Sequence, residues 1–147
     1  MNMKTNKRMS LIKLTQETGA SFLDVLIIFV LFKIYYHRVK NNKFFSVIKK
    51  LNKKPFLFCV NKNNLSSNFK VLKAIDYANG NVMCKETSIV AYLLLQHSNY
   101  NPEYNLGIKK ERNQILGHAW VTTKEGVCFD TCNNAENFNV IWKWNNN

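Results

Sequence analysis

The chain has 147 residues, of which 46% are hydrophobic and 13% aromatic, and a formal net charge of +12. That length suits one ordinary domain with a single core and argues against two, while the apolar and aromatic content excludes a disordered chain. The charge is lopsided: through Lys54, twelve Lys and Arg face only Glu17 and Asp24, a balance of +10, which leaves +2 for the remainder. No internal repeat is visible, and no RNA- or DNA-binding motif accompanies the basic residues, so the charge reads as solvated helix surface and no nucleic-acid partner is expected.

Taken in chain order, residues from Leu11 to about Leu51 predict two or three helices. Their apolar run Val25 to Phe32, bracketed by Asp24 and Lys33, is eight residues long. Roughly 20 are needed to cross a bilayer, and no small-residue cleavage site follows, so a core helix is expected rather than a span or a signal sequence. Lys33, Arg38 and Lys40 with Tyr35 and Tyr36 leave room for peripheral contact with a membrane surface. Pro55 opens a loop or short strand around Phe56 to Val60, and Asn61 to Asn68 reads as a polar linker. Phe69, Leu72, Ile75 and Ala78 then repeat at helical spacing.

The Gly80-Asn81 break leads into a second long apolar run, NVMCKETSIVAYLLLQ, which predicts a buried helix with Cys84 in its first turn. Asn99 to Pro102 marks a turn, and Tyr104, Leu106 and Ile108 alternate as in a strand. The stretches LGHAWVTT and GVCFDT, separated by Lys124-Glu125-Gly126, predict a hairpin, and Phe138, Val140, Trp142 and Trp144 alternate once more. Helices first and strands later make an α+β fold with a small antiparallel sheet.

Chemistry enters with Cys84, His118 and Asp130. A thiolate is the nucleophilic form of cysteine, and the unpaired N–H groups and dipole of a helix start favour it. Pairing Thr122 with Gly126 sets His118 opposite Asp130, so that the carboxylate can hold the far ring nitrogen while the imidazole moves a proton. Backbone N–H groups at the helix start, including that of Cys84, are candidates for the oxyanion site, and Asn79 and Asn81 for an added donor or, more simply, turn formers. Each triad residue alone has a plainer reading: a small buried thiol, a satisfied core histidine, a turn former beside Thr131. Their joint context favours thiol catalysis of acyl transfer. His37 and His97 receive no role, and Trp120 is expected to pack on His118.

The stretch from about Lys70 to Asp130 resembles the transglutaminase-like cysteine protease of lasso-peptide biosynthesis, the B protein. Cys84 followed by Ser88 opens a helix, and His118-Ala119-Trp120-Val121 precedes Asp130. The basic, apolar N-terminal region is also similar to that family's helical segment. Lys85 stands where leucine is usual, and Thr122 where an acidic residue is usual. The resemblance implies a transglutaminase/papain-like core and a cytoplasmic peptidase that removes the leader of a ribosomal lasso precursor, as in antibiotic biosynthesis. It implies as partners the precursor peptide, a separate leader-recognition protein acting in trans, and an ATP-dependent lasso cyclase that takes the product. The expected organisation is a single stand-alone protease domain over 1–147, with a basic helical segment over 1–54 and a catalytic core over 69–147.

Two other functions fit the same residues: acyl transfer from the triad to an amine, and a non-enzymatic basic adaptor for an acidic peptide or membrane. The four cysteines, Cys59, Cys84, Cys128 and Cys132, lack a secretory context and are expected as free thiols. A zinc site from Cys84, His118, Cys128 and Cys132 lacks the paired Cys-x-x-Cys spacing, so neither metal nor cofactor is expected.

Overall fold

The computed structural model describes residues 10–41, 44–50 and 59–145. The first described elements are three helices: α1 (Leu11–Thr18), α2 (Phe22–Lys40) and α3 (Phe44–Lys49). Gly19 closes α1 in the left-handed region (φ 71°), a conformation that costs glycine nothing, and its N–H bonds the Thr15 carbonyl. Ser21 then caps α2 by accepting the Asp24 N–H at 3.1 Å. The Asp24 carboxylate, itself buried, accepts the Asn61 N–H at 3.1 Å and so ties the returning chain to α2. Most of the loop or strand expected at Phe56 to Val60 lies outside the described residues.

The expected polar linker at Asn61 to Asn68 is instead a 3-10 turn, Lys62–Asn64, running directly into helix α4 (Leu65–Ala78). Its Asn- and Lys-rich composition hides the helix start, and tertiary burial of Asn68, Val71 and Leu72 supplies the stability that propensity does not. Helix α5 (Cys84–His97) is the spine of the molecule. Thr87 through Leu95 are almost completely buried, because α5 packs on α2, on α4 and on the sheet at once. A helix apolar on every side needs such an environment.

Strands β1 (Pro102–Glu111), β2 (Gln114–Thr123), β3 (Cys128–Phe129) and β4 (Asn139–Trp144) form an antiparallel sheet in the order β3-β2-β1-β4. Ala119 and Val121 turn inward to α5, while His118 and Trp120 occupy the alternate positions of β2. The fold is therefore the α+β arrangement of helices on a small antiparallel sheet.

Candidate active site

Cys84 is the first residue of α5, preceded by Met83 as N-cap. What holds it there is Asp76, near the end of α4. The Asp76 carboxylate accepts the Met83 N–H at 2.6 Å, and its main-chain carbonyl accepts the N–H groups of Asn79 and Asn81 at 3.0 and 2.9 Å. Asp76 is fully buried. A carboxylate in the last turn opposes the helix dipole of α4, and here its compensation is to fix the turn that launches the Cys84 helix. The same turn consumes the asparagines: Asn79 donates its amide to the Ile75 carbonyl at 2.7 Å, and Asn81 sits at φ 59°. Both asparagines are thus turn formers, and the backbone N–H groups at the start of α5 remain as candidate oxyanion donors.

The β2–β3 connection is a tight turn over Thr123 to Gly126 closed by Gly126 at φ 86°, with Gly126 N–H to Thr123 O at 3.2 Å and Thr123 N–H to Val127 O at 2.9 Å. That three-residue loop sets the ladder two positions away from the expected register: Thr122 pairs with Cys128 and Val121 with Phe129, not Thr122 with Gly126. A shift of two preserves side-chain parity. His118 and Asp130 accordingly still meet, and the ring Nε2 donates to Asp130 Oδ1 at 2.6 Å.

Asp130 is caged by donors. Besides the ring it accepts Cys132 N–H at 3.0 Å on Oδ1, and Asn134 N–H and Ala135 N–H, both at 2.7 Å, on Oδ2. Burial works against its charge, but the ring and the three amides outweigh burial and hold the carboxyl down to about 2. Burial likewise disfavours a charged His118, yet hydrogen bonding to Asp130 and Cys84, with the negative charge of both, raises it to about 10. At neutral pH the ring is an imidazolium. With Nε2 taken by Asp130, Nδ1 is the nitrogen left for Cys84.

The ring is 6% exposed. Trp120 stacks on it at 5.9 Å and 20°, and Phe138 packs against it at 5.0 Å. Gly107 of β1 makes that packing possible, since a Cβ there would lie 2.7 Å from the Trp120 ring and 3.0 Å from Phe138 Cβ. Ser88, one turn beyond Cys84, donates to the Ala119 carbonyl at 3.0 Å, fastening the cysteine helix to the histidine strand. The fully buried Tyr104 donates to the Lys85 carbonyl at 3.1 Å, and burial first, then the charges of Cys84 and Glu86, push its phenol well above the ordinary range. Exposed Lys85 lays its ammonium 5.5 Å over the Phe44 ring, and Thr122 accepts the Asn105 amide at 3.1 Å. His97 is bound to the Val60 carbonyl, away from this site.

Cys59, Cys84, Cys128 and Cys132 are free thiols, and among the described residues no three His, Cys, Asp or Glu side chains group to hold a metal ion. Asp76, Gly107 and Phe138 were not singled out by sequence reasoning. The first two carry signals, an acid in a helix's last turn and a glycine inside a strand, whereas Phe138 reads as one more alternating aromatic. No curated protein and no solved structure matches the chain. A family model described as the transglutaminase-like superfamily matches residues 67–143, more than half of the chain and the span that holds Cys84, His118 and Asp130. The chain thus belongs to the transglutaminase-like superfamily, whose members are in general cysteine peptidases or acyltransferases.

Proposed function

We propose that this chain is the leader peptidase of a lasso-peptide pathway, using Cys84 as nucleophile, His118 as proton carrier and Asp130 as orienting carboxylate. The observation that carries the proposal is the geometry: His118 bonded at 2.6 Å to Asp130, with Cys84 at the first position of a helix whose next turn is fastened to the His118 strand. The finer reading, a lasso leader as substrate, rests on the Cys84/Ser88 and His118-Ala119-Trp120-Val121 pattern and on the basic helical N-terminal region. The Ser88 bond to Ala119 gives that pattern a physical meaning, because the two motifs are the two halves of one joint.

The chemistry follows in two steps. The Cys84 thiolate attacks the scissile carbonyl carbon, and the oxyanion is met by backbone N–H groups at the start of α5. Collapse breaks the C–N bond as His118 gives its Nδ1 proton to the leaving amine, which frees the core peptide's N-terminus and leaves the leader as a thioester on Cys84. His118, now neutral, takes a proton from water, the hydroxide adds to the thioester, and the thiolate departs. The leader leaves with a free carboxylate, and the exposed amine is the substrate for a separate ATP-dependent cyclase. A leader-recognition protein in trans delivers the precursor.

The test is co-expression with a candidate precursor, with and without its leader-binding partner, read by peptide mass. We expect hydrolysed leader and free core, and a Cys84→Ala loss of about 10⁴-fold or more. The variant should stay folded, since it removes one half-buried sulfur. Intact precursor beside folded wild-type protein and its partner, or a leader carrying a new amide, would overturn the peptidase reading.

A further inference from the structure

Helix α2 is apolar on two opposite faces, and the fold covers one of them. Val25, Ile28, Leu31, Phe32 and Tyr35 enter the core, where α2 packs on α5. Phe22, Leu23, Leu26, Val30 and Ile34 face outward and are between 36% and 52% exposed. Phe22, Leu26, Val30 and Ile34 recur every four residues and form a line about 18 Å long at the helical rise. Single exposed apolar side chains are ordinary, but a continuous stripe of five calls for a cover.

The charges on the same helix identify the cover. Lys33, His37, Arg38 and Lys40 are exposed toward its C-terminal end. The one carboxylate of α2, Asp24, is 1% exposed and already accepts the Asn61 N–H. Lys33 Nζ lies over the Phe29 ring, 5.3 Å from its centroid, and Lys40 Nζ over that of Tyr36 at 5.9 Å, so both cations sit against apolar surface on the same helix. An apolar stripe continued by a cationic end, with no exposed acid on the helix, matches an anionic bilayer surface. A second copy of this chain is a poor cover, since through Lys54 each copy carries +10.

We infer that α2 is an interfacial anchor: its Phe22 to Ile34 stripe enters the acyl boundary of an anionic phospholipid membrane, and Lys33, Arg38 and Lys40 meet the headgroups. The helix lies on the bilayer without crossing it. Its inner face is committed to the core, and among the described residues no single helix is long and apolar enough to span.

The experiment is flotation of the purified full chain with vesicles of phosphatidylcholine alone and of an equimolar phosphatidylcholine and phosphatidylglycerol mixture. Wild type should float with the mixed vesicles and not with the neutral ones, and each basic residue removed from Lys33, Arg38 and Lys40 should lower partition about fivefold. Leu26→Ser with Val30→Ser should abolish flotation with an unchanged melting temperature, since both side chains are exposed. Wild type that stays with the soluble fraction in both mixtures overturns the inference. So does a stripe variant that floats as well as wild type, or one that only dissolves a dimer.

Discussion

Asp130 spends all its accepting capacity: one bond from His118 and three from backbone amides. An asparagine there has a single oxygen and must turn its NH₂ either at the ring N–H or at the paired amides of Asn134 and Ala135. Asp130→Asn should therefore cost about 1.5–3 kcal/mol in chemical denaturation, the range for hydrogen bonds to a charged group, although it is nearly isosteric. In the proposed cleavage it should slow turnover by on the order of 10³ to 10⁴, because the ring loses the partner that fixes its tautomer. Sequence context was enough to bring Cys84, His118 and Asp130 under suspicion, since each lay in a locally distinctive stretch. It was not enough for Asp76, whose task is a bond to the Met83 N–H seven residues on. Nothing local tells which buried amide a carboxylate will serve.

At the scale of elements, α5 and β2 are joined at Ser88, whose hydroxyl reaches the Ala119 carbonyl beside His118. Ser88→Ala leaves that buried carbonyl without its side-chain donor and should cost about 1–3 kcal/mol. If the joint sets the distance from thiol to ring, kcat should fall more than KM rises, whereas a purely structural role would lower the melting temperature and leave kcat per folded molecule unchanged. The apolar run of α5 was legible because it is too long for a strand, and β2 because its apolar residues alternate. Two connections resisted. Strands β1 and β2 turn through Arg112-Asn113 with Arg112 at φ 53°, a conformation usually announced by glycine. In the β2–β3 loop Gly126 was visible, but whether the three-residue connection runs from Thr123 to Glu125 or from Lys124 to Gly126 decides the register, and composition does not distinguish them. Parity, the only property the histidine and aspartate needed, is indifferent to a slip of two.

For the whole molecule, the His118–Asp130 pair predicts how stability responds to pH. The folded His118 value, about 10, lies above its ordinary 6.5, so its contribution is full below 6.5 and disappears as pH rises through about 10. The folded Asp130 value, about 2, lies below its ordinary 3.8, so its contribution is present above 3.8 and disappears as pH falls through about 2. The gap in melting temperature between wild type and His118→Ala should be widest between pH 4 and 6.5 and narrow steadily toward pH 10; a gap that widened with alkalinity would contradict the ion pair. The covered ring has one more consequence. With Nε2 bound to Asp130 and Trp120 and Phe138 against the ring, Nδ1 is the ring nitrogen left to exchange a proton with Cys84 or a substrate. In the proposed cleavage the departing amine and the incoming water use that one nitrogen in turn, so the amine product is expected to clear the site before the acyl group is released from Cys84.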